Sequence, residues 1–350
     1  MINQVFDATG ESIFSTVTRL AREYDAINLG QGFPNFRPPE PLLEELQQAR
    51  SASFDQHQYA PSPGIFELKQ ELMKLYRDLY GFNYDPEKEV TITTGATEGL
   101  ASALYGLLNP GDEVIVFEPV YDLYAPVSKR AGAEVVSIPL EEPEFNLPIK
   151  RLKRVVSKDT DLIILNNPHN PTGRVFRDEE LKEVVNVAEA HDAVILADEV
   201  YEHLFFEGKR AYTPLASFDG ARERTIWLGS AGKTFNATGW KIGWALAPAD
   251  LTRSIRSSHQ FTTFCTATPL QHAVARFMGE SDMRAYLDHY RKEYGRRKEL
   301  LIEGLRQSPF EIVPSEGTYF TVVKVPDSLM DKYDADTDLE FVKSLVKQTG

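Results

Sequence analysis

Residues 225–244 read TIWLGSAGKTFNATGWKIGW and set Lys233 just after an apolar strand, with Ser230 shortly before it and Lys241 shortly after. A lysine amine can form a Schiff base with an aldehyde, while a turn of small residues brings a hydroxyl and backbone N–H groups close enough to hold a phosphate. The layout is that of an anchor for pyridoxal phosphate. Two other readings stand beside it. Gly232, Lys233 and Thr234 after a strand look like the end of a nucleotide-binding P-loop, although the position that should carry that loop's first glycine is Trp227. An isolated loop lysine is also commonly a solvated charge. Whether the rest of the chain supplies partners for an aldehyde, a pyridine ring and a phosphate decides among the three.

The apolar run in AVILADEVYEHL, residues 193–204, reads as a buried strand, so Asp198 falls at its carboxyl end, where ligands gather in open α/β sheets. A carboxylate there can pair with a protonated pyridine nitrogen and keep the ring an electron sink. Tyr201 follows, its phenol within reach of a ring oxygen. The plain alternative is that Asp198 or Glu199 caps a following helix. LIILNNPHNPTGRVF, residues 162–176, is another apolar strand running into a turn, where Asn170 can donate a side-chain N–H to a phenolate-type oxygen; taken alone, NPHNPTG is a turn and nothing more. In VTITTGATEGLASALYGLL, residues 90–108, the amides of Gly95, Ala96 and Thr97 open a helical apolar pattern, and a helix N-terminus attracts phosphate. DEVIVFEPVYDLY, residues 112–124, delivers Tyr121 just past a strand, placed to stack on a flat ring, although packing explains most buried aromatics.

The ordered set TGATEG, EPVYD, NNPHNPTG, ADEVYE, SAGKTF and GWKIGW resembles the class I/II aminotransferases of pyridoxal-phosphate fold type I, over roughly residues 10–350. INLGQGFPNF, the QYAPSPG segment at 58–64 and GKTFNATGWKIGW are closest to the branch holding kynurenine, glutamine and methionine aminotransferases. The resemblance implies that Lys233 anchors the cofactor and acts as catalytic acid and base, that Asp198 partners the pyridine nitrogen, and that Asn170 and Tyr201 hold the ring oxygen. Tyr121 stacks on the ring. Ser230, Lys241 and the amides around Gly95, Ala96 and Thr97 hold the phosphate, with Tyr59 reaching in from a second subunit. Lys241 stands where many relatives carry arginine, which implies a point-charge contact rather than a bidentate one. Gly32 and Asn166, with Asn170, match positions on the substrate-carboxylate side, and Phe264 matches an aromatic lining the neighbouring subunit's pocket. Cys265 stands where at least one relative has histidine. The implied reaction moves the amino group of a methionine-, glutamine- or aromatic-type L-amino acid to a 2-oxo acid by a ping-pong route.

One departure concerns the substrate. The family's carboxylate-clamping arginine lies near the C-terminus after a further strand, and no residue here matches it. The chain ends at Gly350 in VKSLVKQTG, at the close of an amphipathic helical pattern that is expected to lead into another strand, so a C-terminal truncation is expected. Two alternatives remain at this point: a pyridoxal-phosphate-dependent C–S β-lyase acting on cysteine conjugates, and a non-catalytic module of the same fold.

From about residue 40 to 250 short apolar strands alternate with helical stretches such as RDEELKEVVNVAEAHD, the mark of a mainly parallel sheet covered on both faces. By resemblance this is an α/β large domain with a seven-stranded sheet. The expected boundaries are an N-terminal arm or part of the small domain over 1–39, the cofactor domain over 40–250, connecting helices over 251–304, and a smaller, incomplete α+β domain over 305–350. In the last, FEIVPSEGTYFTVVKV reads as two strands and DTDLEFVKSLVKQTG as a helix.

Composition excludes more than it assigns. With 42% hydrophobic and 26% charged residues the 350-residue chain is ordinary for a globular protein, and a net charge of −14 argues against nucleic acid as a partner. RLKRVVSK and RKEYGRRKE are interrupted basic runs that read as solvated helix faces. A single cysteine excludes an internal disulfide framework and suits a reducing cytoplasm. The seven histidines are scattered without zinc-ligand spacing, so no metal is expected, and no apolar run approaches the roughly 20 residues that span a bilayer. The expected partners are small amino acids and 2-oxo acids, with neither nucleic acid nor membrane, in a cytoplasmic homodimer that shares its active sites.

Overall fold

The computed structural model describes residues 5, 12–30, 32, 34–49, 53–206 and 211–349. Most of the expected N-terminal arm before residue 12, Gln31 and Phe33 of INLGQGFPNF, and the Gly350 end on which the truncation expectation falls lie outside the described residues.

Apolar alternation along the strands builds a seven-stranded sheet. Its strands are β1 (Val90–Thr93), β2 (Glu113–Glu118), β3 (Glu134–Pro139), β4 (Thr160–Asn166), β5 (Val194–Asp198), β6 (Thr225–Ser230) and β7 (Gly243–Leu246). They lie in the order β1-β7-β6-β5-β4-β2-β3. β7 runs antiparallel to β1 and β6, and the other pairings are parallel. The sheet is the mainly parallel one the alternating pattern predicts.

Both faces are buried, as a parallel sheet requires. Side chains alternate with period two: Ile163, Leu165, Ile195 and Ala197 belong to one core with Leu68, Leu72, Leu181, Val184, Val274 and Phe277. Leu162, Ile164, Leu196 and Leu228 belong to another with Leu100, Leu104, Val127 and Ile255. The helices Phe66–Tyr80, Asp178–Ala190 and Thr268–Glu280 therefore cover one face, and Gly95–Leu107, Tyr124–Ala131 and Ala249–Thr262 the other. Beyond the sheet the chain continues through Met283–Leu305 to short helices at Asp327–Lys332 and Asp338–Thr349, the last packed against Ile13–Glu23. Among the described residues no helix is long and apolar enough to cross a membrane.

Two local readings change. No helix follows β5: residues 200–203 form turns, and Glu199 accepts hydrogen bonds from the Tyr212 hydroxyl at 2.7 Å and Leu215 N–H at 3.1 Å instead of capping. Burial pushes the Glu199 carboxyl up to about 8. The two strands read in FEIVPSEGTYFTVVKV shrink to β8 (Glu311–Ile312) and β9 (Val323–Lys324). The residues between them leave that ladder for backbone bonds elsewhere: Gly317 N–H donates to the Gly173 carbonyl, Thr318 N–H to Leu204, and Phe206 N–H to Glu316. The consequence is that Tyr319 and Phe320 are carried to the ends of the central strands.

A buried polar string stiffens the sheet behind these ends. Trp244 Nε1 donates to the Tyr76 hydroxyl at 2.9 Å, and Tyr76 and Tyr80 donate to the Glu202 carboxylate at 2.7 and 2.9 Å. Gly229 lies directly under the indole: a Cβ there would sit 2.0 Å from Trp244 Nε1. Gly229→Ala is expected to displace the indole and lower the unfolding free energy by about 1–3 kcal/mol, read from the urea midpoint.

Candidate active site

Register along the central strands assembles the site. Asn166 at the end of β4 pairs with Asp198 at the end of β5, and Asp198 with Leu228 of β6, two residues short of Ser230. Their carboxyl ends open on a cavity of about 270 Å³ at the edge where open α/β sheets bind ligands. Twelve of the residues singled out by sequence line it: Gly32, Gly95, Ala96, Thr97, Tyr121, Asn166, Asn170, Asp198, Tyr201, Ser230, Lys233 and Lys241. Tyr59 and Phe264 do not. They stand outside at 81% and 49% exposure, their rings edge to face at 5.2 Å.

Each of the main groups is held by its neighbours. Lys233 sits on the single turn Ala231–Thr234 after β6, its carbonyl accepting from the Tyr290 hydroxyl and that of Thr234 from Tyr286 at 2.9 Å. The Lys233 amine donates to the Tyr319 hydroxyl at 2.6 Å and lies over the Tyr201 ring at 5.4 Å. Asn166 donates its side-chain N–H to the Asp198 carbonyl at 2.7 Å and accepts the Asn170 backbone N–H at 2.6 Å, which ties the NPHNPTG turn to the end of β5.

Asp198 is buried, and its two oxygens differ. Oδ2 accepts the Tyr124 hydroxyl at 2.5 Å, whereas Oδ1 has no hydrogen-bond partner in the protein. Burial raises the Asp198 carboxyl above the usual range, against the Tyr124 hydrogen bond, the Val200 backbone N–H and the Lys233 charge, which lower it. A buried carboxylate oxygen left in this state calls for a cationic or N–H partner from a bound group.

At the other end of the cavity, the helix Gly95–Leu107 presents its N-terminus, with its partial positive charge and free amides. Gly95 has φ +73° and lies against Lys241, where an added Cβ would be 3.2 Å from Nζ. Lys241 itself takes a left-handed φ of +54°, and its amine reaches Thr97 Oγ1 at 3.4 Å. Burial, then the charge of Lys233, pulls the Lys241 amine below its ordinary value. Amides, a hydroxyl and an ammonium converge there, a corner for an anion.

The residues present fit pyridoxal phosphate: an unpartnered carboxylate oxygen for a ring N–H, an anion corner across the cavity, and a lysine amine between them. Such an arrangement on a mainly parallel seven-stranded sheet defines an enzyme of pyridoxal-phosphate fold type I.

Comparison with known proteins narrows the class. The sequence model for aminotransferase class I and II matches residues 24–350. A probable N-succinyldiaminopimelate aminotransferase of Mycobacterium tuberculosis is 40% identical over 97% of this chain and 83% of its own length. The solved structure of N-succinyldiaminopimelate aminotransferase from Mycobacterium tuberculosis superposes with a TM-score of 0.93 at 38% identity, covering 99% of this chain and 88% of that one. Methionine aminotransferase of Escherichia coli is 36% identical over 97% of this chain and 86% of its own. Human kynurenine–oxoglutarate transaminase 1 is 34% identical over 95% and 84% respectively. The chain belongs to the class I and II aminotransferases. It is a pyridoxal-phosphate-dependent transaminase acting on amino acids and 2-oxo acids.

Sequence reading missed Tyr124 and Tyr319. Tyr124 lies in the quoted DEVIVFEPVYDLY, one helical turn past Tyr121, and only its placement beneath Asp198 reveals it. Tyr319 belongs to a stretch read as a plain strand. Among the described residues no cluster of three histidine, cysteine, aspartate or glutamate side chains could hold a metal.

Gly243 provides a check on the anion corner. A Cβ there would meet Ala96 N at 2.5 Å and the Gly95 carbonyl carbon at 2.6 Å, both backbone atoms that cannot swing aside. Gly243→Ala is expected to shift the turn at Gly95 and weaken pyridoxal-phosphate affinity about tenfold or more, measured by absorbance titration of the apoprotein.

Proposed function

We propose that the amino donor is a methionine-, glutamine- or aromatic-type L-amino acid, exchanged for a 2-oxo acid by a ping-pong route. The observation that carries this is the cavity's lining. Among the described residues its charged side chains are Asp198, Lys233 and Lys241, all engaged by the reading below, while Phe14, Tyr121, Tyr201 and Phe320 supply aromatic walls. A donor side chain with a carboxylate of its own finds no further cation there, and an uncharged one finds apolar and aromatic surface.

In this reading the bound pyridoxal phosphate supplies the aldehyde that takes up the amino group and a ring that absorbs the electrons released at the substrate's α-carbon. Lys233 would take the proton from the substrate's α-carbon at its Nζ and return one from the same atom. Asp198, oriented through Oδ2 by Tyr124, would offer Oδ1 to the pyridine N–H. Asn170 and Tyr201 hold the ring oxygen, and Tyr201's phenol stays protonated because burial, then the Tyr319 phenol, raises it well above its ordinary value. Tyr121 stacks on the ring. Ser230, Lys241 and the amides at Gly95, Ala96 and Thr97 hold the phosphate, while Gly32 and Asn166 face the substrate's carboxylate.

Tyr59 and Phe264 are read as serving the second subunit of a homodimer with shared sites, which accords with two large aromatic side chains left outside their own cavity. A cytoplasmic location accords with the single, free Cys265. The domain boundaries proposed are those read from sequence, with the large cofactor domain over 40–250, connecting helices over 251–304 and the smaller domain over 305–350.

The donor is tested by comparing kcat/KM for methionine, glutamine, phenylalanine, kynurenine and N-succinyldiaminopimelate against one 2-oxo acid. Methionine, glutamine or an aromatic donor is expected to lead, and a clear lead for the succinylated dicarboxylate would overturn the reading. Lys233→Ala should abolish transfer, and Asp198→Ala should lower kcat on the order of a thousandfold; near-normal turnover in either variant removes its assigned role. For the shared site, mixing and reassociating inactive Lys233→Ala with a Tyr59→Ala variant should restore activity absent from both parents, because one site of each hybrid dimer is then intact.

A further inference from the structure

Tyr319 stood in none of the motifs that pointed to the site, yet its hydroxyl is the hydrogen-bond partner of the Lys233 amine, at 2.6 Å. The phenol's own proton is committed elsewhere. It is donated to the Gly32 carbonyl oxygen at 2.7 Å, and a carbonyl oxygen can only accept. The phenol oxygen therefore meets Lys233 with a lone pair, able to take an N–H from the amine but not to give a proton to it. One ring face flanks the same nitrogen, that of Tyr201, with its centroid at 5.4 Å. The negative face of an aromatic ring attracts N–H hydrogens and repels a lone pair. With those directions taken by acceptors, the nitrogen's lone pair is left the open side, which is the cavity that Lys233 lines.

We propose that Tyr319 is a positioning residue for Lys233, its phenol holding the free amine by one N–H so that the nitrogen's lone pair faces the substrate's α-carbon. The inference rests on the reading of Lys233 as the residue that joins the cofactor and moves the proton. In that step a new N–H bond would form at Lys233 as the substrate's Cα–H bond breaks, with the electron pair left on carbon taken up by the electron sink that the cofactor would supply. The resulting ammonium keeps its hydrogen bond to Tyr319 while it returns a proton. A flexible lysine without this contact samples several rotamers, few of which aim the nitrogen. The contact depends on residues 314–321 leaving the β8–β9 ladder, because that excursion brings Tyr319 within reach of both Gly32 and Lys233.

Tyr319→Phe keeps the ring and removes the oxygen. The rate at which the apoprotein captures pyridoxal phosphate, followed by visible absorbance, is expected to fall about tenfold, since the same lone pair attacks the aldehyde. With the best donor of the panel above, kcat should fall by a similar factor while KM changes little, and the isotope effect from α-deuterated donor should rise. A variant equal to the parent in capture rate and kcat overturns the proposal. So does a raised KM at unchanged kcat, which would make Tyr319 a substrate contact. Lys233→Ala run alongside separates the two readings: turnover in that variant removes the lysine assignment itself, whereas an inactive Lys233→Ala beside a parent-like Tyr319→Phe removes only the positioning role.

Discussion

The structure turns on a carboxylate buried at the end of β5. Burying an ionised group is costly unless it is matched, and Asp198 is matched on one side only: Tyr124 binds Oδ2, while Oδ1 has no partner in the protein. A bound group with a polarised N–H would complete that match at Oδ1. The rest of the cavity is arranged at distances set from this point, with the lysine amine on the next strand's turn and the anion corner on the far side.

Strand order is what makes the arrangement possible. β4, β5 and β6 lie side by side and parallel, so their carboxyl ends bring Asn166, Asp198 and Ser230 to one edge although long connections separate them in the chain. β7 is inserted antiparallel between β6 and β1, and this reversal brings Lys241 and Gly243 against the start of the helix Gly95–Leu107. Had β7 run parallel, its start would lie at the opposite edge. The buried string from Trp244 through Tyr76 to Glu202 then stiffens the sheet immediately behind the site.

The far wall is made differently. Gly32 precedes the sheet and lines the cavity, and Tyr319 follows it and reaches Lys233, both from loops rather than strand ends. Tyr319 bridges them to Lys233, so the lysine is held from below by Tyr290, which binds its carbonyl, and from the front by Tyr319, which binds its amine. Backbone placement and amine orientation thus depend on different segments of the chain.

The amino-acid sequence by itself determined the α/β class and the strand and helix periods, and it singled out Lys233, Asp198, Asn170 and Tyr201, which the fold brings to one cavity, because these stand at punctuated strand ends. It was also sufficient for the helix N-terminus at Gly95, whose small residues announce close backbone approach. Tertiary structure decided what depends on groups distant in sequence. Tyr124 acquires meaning only from the packing that slides it beneath Asp198. Tyr319 was hidden because FEIVPSEGTYFTVVKV carries strand-like residues, and only backbone bonds to Gly173 and Leu204 pull its middle out of the ladder. Glu199 looked like a helix cap until the fold buried it against Tyr212. In each case a long-range hydrogen bond outweighed the local preference, and no local window of sequence contains both partners.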